Sequence, residues 1–198
     1  MPHGASKDWR TDLPILTGRM VTLREPGLQD AEALVGLLAA SDATAFWIDG
    51  VGGAAMRRNI ERFIRDRIRG VAFTYVVTLS TSRLVVGLLQ VRQLDPEFGA
   101  AEWECTLAPS ARGTGFFLEA ARLLGSFTFG VVGTHRLEAR VLLHNGRANG
   151  ALRKLGAVQE GVLRGAARAG GESAARVLWS LLKADWSDHG VAADSRVH

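Results

Sequence analysis

Apolar and polar residues along this chain recur with two different periods, and the switches between them divide it into elements. Met20–Leu23 is a short β-prone run. From Leu28 the apolar residues fall at Leu28, Ala31, Leu34, Val35 and Leu38, the spacing of one helix face. Asp30 and Glu32 stand near its start, where the helix dipole favours negative charge. A second stripe at Met56, Ile60, Phe63, Ile64 and Ile68 predicts another amphipathic helix, with its arginines on the other side and Gly70 as its stop. Phe73–Leu79 and Leu84–Leu94 read as strands joined through the turn-prone Ser80–Ser82, a hairpin. Ala100–Leu107 reads as a strand ended by Pro109, Phe116–Phe129 as a helix and Arg136–Leu143 as a strand. Ala148–Leu155 is a short helix closed by Gly156, and Val158–Leu163 and Val177–Leu182 are the last strands.

The predicted order is β-α-α-β-β-β-α-β-α-β-β, an α/β or α+β sheet with helices packed on its faces. No internal repeat or low-complexity linker interrupts it, so a single domain is expected over residues 15–186. The first residues, 1–14, and the tail, 187–198, are polar or small and are expected to fray.

Composition narrows the class. The 198 residues suffice for one buried core, and 47% hydrophobic with 22% charged residues excludes wholesale disorder. The net charge of +4 comes from arginines spread along the chain. Local clusters stand at Arg57 and Arg58 and at Arg62, Arg65, Arg67 and Arg69; a solvated helix face is the reading preferred over a polyanion site, so no nucleic-acid partner is expected. Cys105 is the sole cysteine, so no intrachain disulfide can form. The N-terminus MPHGASKDWRTD lacks the apolar core of a secretory signal, and no apolar run approaches the roughly 18 residues of a spanning helix. A cytoplasmic protein without a membrane partner is expected. No group of His, Cys and carboxylates has metal-ligand spacing, so no metal is expected.

One segment carries chemistry. In AEWECTLAPSARGTGFFLEAARLL a strand runs into Pro109, then Ser110, Ala111, Arg112, Gly113, Thr114 and Gly115, then a helix. The first N–H groups of a helix have no intrahelical partners and, with the dipole, make an anion site. Glycines let backbone approach a diphosphate and permit positive φ, and Arg112 can add a charge-assisted contact. The ATP-type phosphate loop is excluded, because Phe116 and Phe117 stand where Lys and Ser or Thr would follow the second glycine. The dinucleotide fingerprint is excluded because position 118 is Leu118.

Several segments together resemble the GNAT N-acetyltransferase superfamily, in the branch of the ribosomal-protein N-terminal acetyltransferases (RimJ/RimL-like). Ser110–Gly115 is similar to its pyrophosphate motif, Q/R-x-x-G-x-G/A, with Ser110 departing at the first position. NGRANGALRKLG resembles that branch's N-x-x-S-x-x-x-L-x-K-L-G, with Ala148 in place of Ser. AVQEGVLR and VLWSLLKADW resemble its closing strands, and LTGRMVTLREPGLQDAEALVGLL its opening strand and helix. The likeness spans roughly Leu16 to Trp186. It implies a mixed central sheet of about six to seven strands with a splayed parallel pair and about four helices on its faces.

The resemblance also implies an activity, acetyl transfer from acetyl-CoA directly to a primary amine, with CoA as product. CoA would lie between Ala100–Ala108 and Arg136–Leu143, with backbone near Leu107 on the pantetheine arm. The N–H groups of Arg112, Gly113, Thr114, Gly115 and Phe116 would hold the pyrophosphate. Asn145 would bond the pantetheine or serve as a turn or cap, and Asn149 is a further cofactor candidate. Deprotonation of the amine needs a base. Glu102 and Glu104, two residues apart, share one strand face and are base candidates, with Glu104 preferred as nearer the loop; the alternative is a charge pair matched by arginines. His144 is either an acid–base group or an exposed strand-end residue. The family's usual tyrosine acid has no counterpart, because the sole tyrosine, Tyr75, lies in an upstream core strand. For the acceptor, the family uses the loop between its first helices, here Phe46, Trp47 and Asp49, with Arg164–Ser173 opposite. The two aromatics alternatively cap the core.

The acceptor is left open between a protein N-terminus and a small-molecule amine, including an antibiotic of the aminoglycoside type. A catalytically inactive CoA-binding regulatory module is the reading from another class. A homodimer is compatible with all of these.

Overall fold

The computed structural model describes residues 8–40, 48–50, 52–169 and 172–186. In chain order these form β1 (Leu16–Thr17), β2 (Val21–Arg24), α1 (Ala31–Ala39), α2 (Gly53–Ile68), β3 (Ala72–Leu79), β4 (Val85–Gln93) and β5 (Ala100–Leu107). α3 (Phe116–Phe127), β6 (Arg136–Leu142), α4 (Gly146–Leu155), β7 (Val158–Ala169) and β8 (Glu172–Leu182) follow. The strands make one eight-stranded sheet in the order β1-β2-β3-β4-β5-β6-β8-β7. Every neighbouring pair is antiparallel except β5 and β6, which run parallel because α3 carries the chain back across the sheet between them.

α1 and α2 cover β3 and β4 on one face, where Leu34, Met56, Ile60 and Phe63 pack on Val76 and Leu88. α3 and α4 cover the other face, over Tyr75, Val77, Leu89, Trp103, Leu137 and Trp179. Strand alternation decides what the two faces see. Thr106 lies opposite Leu88 and Glu104 opposite Gln90, so Glu102, Glu104 and Thr106 share the α1/α2 face, while Ala101, Trp103 and Cys105 join the core beneath α3. Tyr75 is fully buried and donates its hydroxyl to the Pro14 carbonyl at 3.0 Å; burial pushes its pKa up.

The architecture is the expected one with three differences. The eighth strand is β1, two residues long and too short to show a period. The closing hairpin is longer than its apolar pattern, with β7 reaching Ala169 and β8 starting at Glu172; alanine-rich sequence is drawn into the sheet by pairing with a neighbour, not by propensity. Within the N-terminal segment expected to fray, Trp9 and Leu13 are packed instead, while Arg10, Thr11, Asp12 and Pro14 are exposed. Trp9 is 3% and Leu13 5% exposed, and the Trp9 ring sits edge-on to Phe73 and Phe98 at 5.2 and 5.5 Å. At the other end Trp186 lies against Phe129 at 5.3 Å and over Gly125, where a Cβ would collide with its ring at 2.5 Å. Among the described residues no helix is long and apolar enough to cross a membrane.

Candidate active site

After β5, a 3-10 turn over Pro109–Ala111 brings the chain to Arg112, and then Gly113 and Gly115 both adopt left-handed φ, +80° and +90°. That conformation is why glycines stand here, since any Cβ would be strained. Crowding is not the reason, because a Cβ on Gly113 would meet nothing within 4 Å. Thr114 folds its hydroxyl onto the Ala111 carbonyl at 2.7 Å and takes a long hydrogen bond, 3.4 Å, from the Phe116 N–H. α3 has no side-chain cap. Among the described residues nothing accepts from the N–H groups of Gly113, Thr114 or Gly115, and all three residues are exposed.

Beside this loop the sheet opens. β5 and β6 pair only through Ala100↔Arg136, Ala101↔Leu137 and Glu102↔Glu138. Past that point β5 stays with β4 as far as Leu107↔Gly87, and β6 stays with β8 as far as Leu142↔Arg176. The facing edges of Trp103–Leu107 and Ala139–Leu142 therefore have no strand between them. Thr106 Oγ1, on β5 beside the gap, is buried without a hydrogen-bond partner among the described residues. An extended polar arm needs such a free strand edge, and a diphosphate needs convergent N–H donors. Both are present, and each leads into the other at Leu107.

The end of β6 is built differently. Asn145 Oδ1 accepts from the Ala148 N–H at 3.1 Å, capping α4. Asn149, buried, donates Nδ2 to the carbonyls of Leu142, Leu143 and Asn145, and its Oδ1 accepts from Trp179 Nε1 at 2.8 Å. The Asn149 side chain is thus engaged in fixing the strand end. Asn145 is exposed and uses only its oxygen in the cap, and His144 beside it is exposed too.

The two candidate bases differ as well. Glu102 is held by two guanidinium groups, Arg92 Nη2 at 2.6 Å and Arg140 Nη1 at 2.8 Å. Arg140 also grips Glu138 at 2.9 Å, Arg136 joins Glu138 at 2.9 Å, and Arg136 reaches on to Glu160. Glu102 and Glu138 are neighbours in register where the strands begin to part, and like charges so placed repel unless countered. Arg140 counters them by bridging both, which gives Glu102 a structural task at the fork. Glu104, one step nearer the loop, is half-buried on the same face. Arg176, buried on β8, feels both glutamates; burial lowers its pKa, and the carboxylates of Glu104 and Glu102 work against that. Cys105, partly buried, packs against the core beneath α3, where burial pushes the thiol pKa up.

On the α1/α2 face a cavity of about 390 Å³ opens next to these carboxylates. Gln90 and Arg92, the cross-strand neighbours of Glu104 and Glu102, line it together with Asp49, Arg62 and Asp66. Asp49 is set there by Asn59, whose buried amide bonds both its N–H and its carbonyl while its carboxylate faces solvent. Phe46 and Trp47 lie outside the described residues. Sequence reasoning passed over Arg140, Asn59 and Gln90. The alternation Arg136, Glu138, Arg140 on β6 was the available signal for the charge ladder, and no periodicity marks the other two.

Comparison with known proteins agrees with this geometry. A family profile described as Acetyltransferase (GNAT) domain matches residues 20–158, most of the chain. An uncharacterized N-acetyltransferase, p20, from Bacillus licheniformis is 27% identical over 169 residues, 84% of this chain and 95% of that protein. The solved structure of a ribosomal-protein-S5-alanine acetyltransferase from Vibrio fischeri superposes with a TM-score of 0.77 at 16% identity, covering 88% of this chain and 99% of that one. The microcin C7 self-immunity acetyltransferase MccE, in complex with acetyl-CoA and AMP, superposes with a TM-score of 0.72 at 20% identity, covering 83% and 93%. The chain belongs to the GNAT acetyltransferases, acyltransferases whose donor is acetyl-CoA.

Proposed function

We propose that this protein moves the acetyl group of acetyl-CoA directly onto a primary amine, with the phosphate loop and the split between β5 and β6 as the donor site and the cavity at Asp49 and Arg92 as the acceptor side. The observation that carries the reading is the run of N–H groups at Gly113, Thr114 and Gly115 that have no acceptor among the described residues, next to the edge of β5 that leaves β6. These amides, with the Arg112 guanidinium, hold the pyrophosphate; the Arg112 and Phe116 N–H groups, which donate to the Pro109 carbonyl and to Thr114 Oγ1, would have to exchange those partners to join them. Backbone at Leu107 and the outer amide of Asn145 hold the pantetheine arm. When bound, acetyl-CoA supplies an activated acyl carbon at the gap, beside Glu104.

Glu104, through a water molecule, takes the proton that the ammonium must lose before its nitrogen can attack. A C–N bond then forms as the C–S bond breaks, and a second proton from the amine ends on the departing sulfur. Tyr75 contributes nothing here, being sealed in the core with its hydroxyl committed to Pro14. Glu102, held by Arg92 and Arg140, keeps the fork in shape.

The first acceptor reading is a protein N-terminus, supported by the likeness of Asn145–Gly156 and the closing strands to the ribosomal-protein branch. A small-molecule amine is the second, and the cavity volume of about 390 Å³ favours it, being of the size that holds a small ligand. Calorimetry with CoA tests the donor site: binding is expected, and no heat at millimolar CoA would remove the assignment. Mass spectrometry of peptides, polyamines and aminoglycosides after incubation with acetyl-CoA separates the acceptors.

A further inference from the structure

We infer that Glu119 is a positioning residue for the cofactor's pyrophosphate: its carboxylate, clasped by the β1–β2 turn, sets the first turn of α3 and with it the phosphate loop. This rests on the donor site proposed above. Glu119 lies one helical turn inside α3, and its own N–H is the one that closes on the Gly115 carbonyl, at 3.2 Å. Its side chain leaves the helix and accepts three successive backbone N–H groups, from Arg19 at 3.0 Å and from Met20 and Val21 at 2.8 Å. Three consecutive amides converging on one carboxylate form an anion nest, with charge-assisted bonds.

The nest is shaped for this carboxylate. Gly18 opens the turn, its N–H bonded to the Val21 carbonyl at 2.8 Å, and a Cβ there would stand 2.8 Å from Glu119 Cδ and 3.0 Å from Oε2. The same turn reaches the loop directly, since Met20 Cε lies 3.5 Å from where a Cβ of Gly115 would be. The Gly115 carbonyl is thus tied to the backbone of Glu119, whose side chain is clasped by the turn between β1 and β2, and Met20 of that turn stands near the loop. A negative side chain one turn from a diphosphate site would ordinarily repel the ligand. Here its charge is spent on the turn, so the helix keeps the carboxylate's grip without presenting it to phosphate.

The test separates pyrophosphate positioning from general loosening by comparing two donors, acetyl-CoA and S-acetylpantetheine, which lacks the diphosphate. In Glu119→Gln one turn N–H faces an amide NH2 and the charge is gone, so the ratio of kcat/KM for acetyl-CoA to that for S-acetylpantetheine is expected to fall about tenfold. The rise should sit in KM for acetyl-CoA and not in kcat. Gly18→Ala, which pushes the carboxylate from the opposite side, should move the ratio the same way and carries the test if Glu119→Gln does not fold. An unchanged ratio in a folded variant, whether both donors suffer equally or neither does, overturns the inference. Absence of any acetyl-CoA binding by the unaltered chain instead overturns the transferase reading on which it stands.

Discussion

The two strands that part in the middle of the sheet each end in a turn and a helix, and the two junctions are built on opposite plans. At the end of β6 side chains of the chain itself close the turn: Asn145 caps α4, and Asn149 gathers three carbonyls and the Trp179 indole. At the end of β5 two left-handed glycines turn consecutive amides outward and no side chain caps the helix. A chain that can saturate one junction with two asparagines could have saturated the other. On the proposed function, the open junction is where a ligand's negative charge would complete the structure, and the closed one would be the wall against which it is placed.

Breaking the open junction should have the largest effect. Gly113→Glu puts a charge and a strained φ among the amides, and CoA binding should be lost in calorimetry while the melting temperature changes little. Retained affinity would mean the ligand lies elsewhere. Breaking the closed junction should instead act on stability. Asn149→Leu strands the Trp179 N–H and takes the side-chain donor from the Leu143 carbonyl, while the Leu142 carbonyl keeps the Asn145 N–H, an expected cost of about 3 kcal/mol in denaturant unfolding. A loss of CoA affinity at unchanged stability would reassign Asn149 to the cofactor.

Glu104→Gln tests the strand that feeds the open junction. Turnover should fall about 100-fold, most at low pH, with CoA affinity intact. A wild-type rate would hand proton removal to water or to Glu102. The smallest effect is expected for Asn145→Ala, which removes the α4 cap and should cost about 1 kcal/mol of stability. A rise in KM for acetyl-CoA in that variant would show the outer amide on the pantetheine arm, and none would leave Asn145 a cap alone.

Much of this was legible in the sequence because strong periods belong to long elements. The apolar stripes of α1 and α2, the strand runs at Phe73 and Val85 and the strand–Gly–helix pattern at Gly113 all stand where the residues indicate. What escaped was fixed by partners distant in the chain. Glu102 is a candidate base by position alone, and only the fold brings Arg140 and Arg92 onto it from two neighbouring strands. Asn149 has the spacing of a ligand residue, and only packing shows that Trp179, thirty residues on, uses its oxygen. Glu119 reads as an ordinary acidic residue near a helix start until the turn at Gly18, a hundred residues earlier, is seen closing around it.

The packing of Trp9 and Leu13 bears on where the chain can be cut. A protein begun at Ile15, the limit the hydrophobic pattern suggests, would lack Trp9 and Leu13 and would leave a hole beside Phe73 and Phe98. It would also deprive the buried Arg67 guanidinium of the Arg10 carbonyl to which it donates. Emptying a core tryptophan site alone costs about 3–5 kcal/mol, a large share of the roughly 5–15 kcal/mol that keeps a domain folded. Truncations meant to trim this enzyme for crystals should stop short of Asp8.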